Sequence, residues 1–283
     1  MNDRVVVALS AKPGARFALY WALYYARPKL LDVELVHVVN ANWDGETSAD
    51  EDDSRRDAEA RLARDVADAR KMAPELAISS RLLSASTTRA KAKIARDRVS
   101  GAKLLVIAAQ PHGISEDTVY SAGVAQLTAE LQCSVVIVPR EPRHPGTGIV
   151  VGVDGTETSM AAVAFAAELA DRQHQKLKVV YAETTRHPWT GAASAIQWPL
   201  EPGDDARLII AEATAGLAQQ YPDLRVETQL TKAQPVDALF AAARQARLVV
   251  VGHGQSENER YWLGSVSHGL ALTMPCMVAV VKS

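Results

Sequence analysis

The sequence predicts an α/β fold built twice over, each copy a parallel sheet covered by helices. The chain repeats itself at an offset of about 144 residues: Val5-Val-Val-Ala-Leu9 lies over Ile149-Val-Val-Gly-Val153, Glu34-Leu-Val-His-Val38 over Lys178-Val-Val-Tyr-Ala182, and Ala102-Lys-Leu-Leu-Val-Ile107 over Ala246-Arg-Leu-Val-Val-Val251. Cys133-Ser-Val-Val-Ile-Val138 falls over Cys276-Met-Val-Ala-Val-Val281 with a slip of one residue. Within each copy, short aliphatic runs alternate with helical patterns, the βαβ rhythm whose right-handed crossovers give a parallel sheet. Between the copies runs Pro139-Arg-Glu-Pro-Arg-His-Pro-Gly146, which sustains neither a helix nor a central strand. The expected organisation is therefore a first domain over 1–138, a linker over 139–147 and a second domain over 148–283.

Composition narrows the function classes. Of the 283 residues 48% are hydrophobic and 23% charged, which suits two soluble domains with ample cores. A formal net charge of -2 gives no bulk attraction to nucleic acid or to an anionic membrane. No apolar run reaches membrane-spanning length, and Met1-Asn2-Asp3-Arg4 leads straight into Val5-Val6-Val7 rather than a signal segment, so a cytoplasmic location is expected. Cys133 and Cys276 open equivalent apolar runs and read as small core residues rather than disulfide partners, and spacing for a metal site is absent.

In the first copy, the strand ending at Leu9 is followed by a helix with Phe17, Tyr20, Trp21 and Tyr24 at i, i+3, i+4 and i+7, expected to face a sheet. Its counterpart, Met160 to Ala170, is alanine-rich and should pack closer. From Asp44 to Asp53 the chain is acidic; a divalent ion could sit among Asp50, Glu51, Asp52 and Asp53, though a solvated face explains such a run as well. The helix pattern around Ala58 to Ala69 alternates Arg with Asp and Glu. In the second copy Thr184 to Gly203 reads as a long loop carrying Trp189 and Trp198.

The candidate site lies in the second copy. Leu248 to Val251 reads as a strand buried on both faces, Gly252 and Gly254 let the backbone turn and approach a ligand, and a helix opens on Gly264-Ser265. The first amides of such a helix lack intrahelical acceptors and carry the positive end of its dipole, so an anion is favoured there. The order is neither Gly-Lys-[Ser/Thr] of a P-loop nor Gly-x-Gly-x2-Gly of a dinucleotide fold. Upstream, Asp154 ends the strand Ile149 to Val153 at the carboxyl end of the sheet, where a carboxylate can accept from ligand N–H or O–H groups. Asp154-Gly155-Thr156 also makes a sound strand exit and helix N-cap.

The spacing Gly254-x9-Gly264-Ser265, with Gly252 upstream, resembles the nucleotide-binding loop of the universal stress protein family, Gly-x2-Gly-x9-Gly-[Ser/Thr]. Here only His253 separates the first two glycines, so the first turn is one residue tighter. The resemblance extends to Gly148-Ile-Val-Val-Gly-Val-Asp-Gly-Thr156, and with a partial Ala233-Gln-Pro235 for Gly-x-Pro it covers nearly the whole chain. It implies two Rossmann-like (adenine nucleotide α-hydrolase-like) domains of five parallel strands each. Val135 to Val138 and Met277 to Val281 should be edge strands, joined antiparallel as in homodimers of single-domain members.

For function the resemblance implies a stress-response regulatory protein that binds ATP or another adenine nucleotide in its second domain. Gly152, Val153 and Asp154 would lie toward base or ribose, with Ala182 at the position of a family valine that covers adenine. Val251, Gly252, Gly254, Gly264, Ser265 and Val266 would surround the phosphates, with Mg²⁺ recruited mainly by phosphate oxygens. In the first copy Ser10, Ala108 and Gln110 replace Asp154, Gly252 and Gly254, and Ser121-Ala122 or Gly123-Val124 replaces Gly264-Ser265, so that copy is expected to keep the fold and lose the ligand. Glu257 and Glu259 against one Arg260 predict weak binding with AMP and ADP favoured over what a complete loop would show. Two other classes stay open: an enzyme hydrolysing or transferring from ATP, for which His253 and His268 are the candidate bases, and an interaction module, self-associating or protein-binding, without nucleotide.

Overall fold

The computed structural model describes residues 3–9, 15–40, 48–85, 99–109, 128, 131–139, 146–183, 203–253, 265–273 and 276–283. Among them, ten strands form one sheet in the order β3-β2-β1-β4-β5-β10-β9-β6-β7-β8. In the first half these are β1 (Arg4–Leu9), β2 (Asp32–Asn40), β3 (Ile78–Ala85), β4 (Leu104–Ala109) and β5 (Ser134–Pro139). In the second they are β6 (Ile149–Val153), β7 (Leu177–Ala182), β8 (Val226–Thr231), β9 (Leu248–Gly252) and β10 (Met277–Val281). Every pairing within a half is parallel. The single antiparallel ladder joins β5 to β10, with Val135 opposite Val280 and Ile137 opposite Val278. Each last strand thus covers the other's open edge, as the sequence leads one to expect.

The described helices are α1 (Ala15–Ala26), α2 (Ser48–Met72), α3 (Glu157–Arg172), α4 (Asp204–Thr214), α5 (Leu217–Gln220), α6 (Pro235–Ala243) and α7 (Ser265–Thr273). Two hydrophobic clusters flank the sheet, because alternate residues of a strand point to opposite faces. Val5, Val7, Val33 and Leu35 enter one with α1, α2, α3 and α4, while Val6, Val36, Val249 and Val251 enter the other with α6 and α7. A strand buried on both faces must be apolar throughout, which accounts for the Val-Val-Val runs in β1 and β9 and for Ile-Val-Val in β6.

The aromatic face expected of α1 turns the other way. Phe17, Tyr20 and Tyr24 are 47%, 40% and 43% exposed, and Ala18, Leu19, Ala22, Leu23 and Ala26 meet the sheet. The physical reason is packing distance: small side chains let the helix axis approach the strands, leaving bulky rings at i, i+3 and i+7 the outer surface. Trp21 and Tyr25 do turn inward, toward the second half, where Tyr25 stacks on Trp21 at 5.5 Å between centroids and meets Phe165 of α3 at 5.7 Å. In α3, Ala162, Ala166, Ala167 and Ala170 are buried, in line with the closer packing its composition predicts.

Polar contacts tie the halves together along the same seam. Lys29 pairs with Glu168 at 2.8 Å, Arg172 donates to the Tyr24 carbonyl at 3.1 Å, and the Tyr24 hydroxyl donates to the Arg172 carbonyl at 3.2 Å. Beside the β5–β10 ladder the Lys282 amide donates to Ser134 Oγ at 3.1 Å and its ammonium to the Leu131 carbonyl. Cys133 is buried and Cys276 half-buried; both are free thiols, pushed by burial to about 11 and about 12.

Candidate functional site at the carboxyl end of the second half

β6 stands between β7 and β9, and the chain runs β6 to β7 to β8 on one side before crossing back to β9 on the other. That reversal is a topological switch point, and the crevice outside the carboxyl ends of the two diverging strands is where open α/β sheets bind ligands. Pairing of β6 with β9 ends at Val151 opposite Val250, so Asp154 and Gly252 follow on either side of the opening. Val153 and Val251 are buried beneath it, at 6% and 4% exposure.

The turn after β6 is locked by hydroxyls. Asp154 Oδ1 accepts from the Thr156 amide at 3.0 Å and from its hydroxyl at 2.6 Å. Thr156 Oγ1 in turn accepts from the Ser159 amide at 3.2 Å, capping α3, and Ser159 Oγ donates to the Thr156 carbonyl at 2.8 Å. Gly155 holds φ +84, which a residue with a Cβ adopts only under strain. Asp154 is exposed even as its carboxylate accepts from Thr156, the residue that caps α3.

Gly252 makes a close approach, but to the protein itself. A Cβ there would lie 2.7 Å from the Thr158 carbonyl carbon and 2.8 Å from the Ser159 nitrogen. The missing side chain therefore admits the first turn of α3, a reason for glycine here that the sequence does not disclose. Gly152 is similarly filled: its Cβ would stand 2.8 Å from Leu239 Cδ1 of α6. Beyond Gly252, Ser267 Oγ donates to the Gly252 carbonyl at 3.1 Å and is 2% exposed, which fastens the first turn of α7 to the end of β9. The structure thereby brings the amino ends of α3 and α7 to the same edge of the sheet as Asp154. Val266 packs in the second core cluster, as does Ala182 at the end of β7.

His253 is 4% exposed, and its amide donates to the Val281 carbonyl at 2.8 Å. Gly254, Gly264, Glu257, Glu259 and Arg260 lie outside the described residues, as do the Ser265 side chain, Trp189 and Trp198. So do Ser10, Gln110 and 121–124 of the first half, and the side chains of Asp50, Glu51 and Asp52. Asp53 is described and pairs with Arg56 at 2.6 Å on an exposed turn of α2. Sequence reasoning missed Ser159 and Ser267, whose spacing carries no signal until β9, α3 and α7 are seen together.

Among the described residues no helix is long and apolar enough to cross a membrane. The family model described as "Universal stress protein family" matches twice, over residues 1–139 and 147–282. A universal stress protein of Mycobacterium tuberculosis is 26% identical over 294 residues, 98% of this chain and 96% of the relative. One from Mycobacterium bovis is 26% identical over 312 residues, 99% and 95% respectively. In fold the chain is similar to the crystal structure of a universal stress protein from Archaeoglobus fulgidus, with TM-score 0.65, 16% identity and coverage of 100% of this chain and 99% of that one. Two family matches in one chain, together with the doubled five-stranded sheet, place this protein in the universal stress protein family as a tandem member.

Proposed function

We propose that the protein is a regulatory or binding protein that holds an adenine nucleotide in its second half, at the crevice between β6 and β9. The observation that carries this reading is the convergence of the Asp154 carboxylate with the amino end of α7, which Ser267 fixes against Gly252. A carboxylate on one wall recognises N–H or O–H groups of base or ribose, and a helix amino end on the other favours phosphate. Gly152, Val153 and Ala182 would floor the adenosine side; Val251 and Gly252 lead toward the phosphate loop, where Gly254, Gly264, Ser265 and Val266 would supply backbone amides and a hydroxyl. These residues fit a nucleotide whose Mg²⁺ is held chiefly by phosphate oxygens and water. The first half, with Ala108 at the position of Gly252, serves as the paired fold without a ligand of this kind.

A binding role is favoured over turnover because His253, one of two candidate bases, is buried with its backbone tied to β10. Calorimetric titration of the full-length protein with ATP, ADP and AMP at fixed Mg²⁺ tests the reading. Binding in the tens of micromolar or weaker, about -6 kcal/mol, is expected, with AMP and ADP competing well against ATP. Gly254→Val should abolish it while leaving the thermal midpoint in place. Unchanged affinity in that variant, or no binding of any of the three, overturns the assignment; sustained phosphate release would instead establish the enzymatic reading.

A further inference from the structure

The repeat supplies a comparison inside the molecule. In the second half the row Val153–Tyr181–Leu230 crosses β6, β7 and β8 on one face of the sheet, and Met160 of α3 and Ile209 of α4 pack over it. In the first half the equivalent row is Leu9–His37–Leu82: Leu9, His37 and, on α1, Arg16 stand 144 residues before Val153, Tyr181 and Met160, whereas Leu82 stands 148 before Leu230, and Asp65 lies on α2 in the interval where the offset slips. Tyr181 and Met160 are thus replaced by histidine and arginine, and α2 adds Asp65, on a face that the second half fills with apolar groups.

The replacements interact. Arg16 reaches Asp65 at 3.4 Å and Asp68 at 3.3 Å, bridging α1 to α2, while His37 is only 7% exposed beneath them. The charges that act on His37 are Arg61 and Asp65 of α2, and Asp65 is in turn held by Arg16 of α1; the sheet neighbours Leu9 on β1 and Leu82 on β3 carry no charge. Setting a buried histidine and a partly buried aspartate under a half-exposed arginine, where apolar groups pack well, gains no stability in itself.

We propose that His37, Asp65 and Arg16 form an acid-released clamp that holds α2 on the first half of the sheet at neutral pH and loosens it on acidification. A neutral His37 is compatible with its buried place, and Arg16 is then satisfied by Asp65 and Asp68. Protonation would set a second cation near Arg61 while Asp65 is already engaged by Arg16, and hydrating it requires α2 to lift. Burial first, then the charge of Arg61, lowers the His37 pKa below its ordinary 6.5 against the opposing pull of Asp65. The sign follows: the folded form binds fewer protons than the open one, so the docking of α2 is fully stable above pH 6.5 and weakens as pH falls below it. This inference does not depend on a nucleotide in the second half.

Hydrogen exchange of the full-length protein, corrected for intrinsic rates, reads the clamp directly. Between pH 7.5 and 5.5 the exchange of amides in α2 should rise about fivefold relative to those of α4, the equivalent helix, as local opening becomes more populated. His37→Tyr, carrying the residue of the second half, should lose that rise. Should that variant fold poorly, an NMR titration of His37 in the unsubstituted protein serves: its proton uptake should coincide with loss of α2 protection. A pH response of α2 that persists in His37→Tyr, or uptake at His37 without change in α2, overturns the proposal.

Discussion

At Gly252 a residue chosen for its likeness to a phosphate loop has a different first duty. The atoms that a Cβ would meet are backbone atoms of Thr158 and Ser159, which cannot rotate aside as a side chain would. Gly252→Ala should therefore lower stability by about 1–3 kcal/mol, the usual range for forcing extra volume into a packed site, as read from urea unfolding. A loss of ligand affinity with full stability would contradict that geometry. Gly252 also shows why sequence assigns such positions poorly: a glycine announces a close approach, but not whether the approaching group is a ligand or a helix.

The helices show where periodicity stops informing. In α1 both the alanine-leucine face and the aromatic stripe are apolar, so the 3.6-residue period marks a face without saying which one turns inward. Phe17, Tyr20 and Tyr24 went outward because alanines bring the helix near the sheet. The strands were easier, since a run such as Leu248 to Val251 admits only burial on both faces. The seat of α7 was not legible, because it hangs on one hydroxyl, Ser267 to the Gly252 carbonyl. Ser267→Ala should weaken nucleotide binding several-fold, with a stability loss of about 1 kcal/mol for the missing hydrogen bond; calorimetric titration beside urea unfolding separates the two effects. Full retention of affinity would show that the helix is seated by its apolar contacts alone.

Across the whole molecule the repeat made the architecture readable, down to the antiparallel meeting of β5 and β10, because two exposed last strands need covers and each is the other's nearest candidate. The charges along that seam were not readable. Burial lowers the Lys282 ammonium to about 8 despite the opposing influence of Cys133. Since the unfolded chain then binds more protons than the folded one between about pH 8 and 10.5, stability gains from this group as pH rises through that window. Lys282→Met should remove the gain, so that the thermal midpoints of the two proteins differ most near pH 7 to 8 and converge toward pH 10. Parallel curves across that range would rule the group out as their cause.

The β5–β10 ladder lies within a single chain, and that frees it from a constraint every symmetric pair of subunits obeys. Where identical subunits meet across a twofold axis, any substitution is made on both sides at once, so a lysine introduced at the seam faces its own copy. Here Cys133 and Cys276 still mirror each other, while Lys282 has Pro139 as its counterpart and donates to the Leu131 carbonyl without meeting a copy of itself. Genetic fusion also makes the contact first-order, so dilution cannot part the halves. Each half can then lose what the other keeps, and one can carry a buried histidine at a position where the other carries tyrosine.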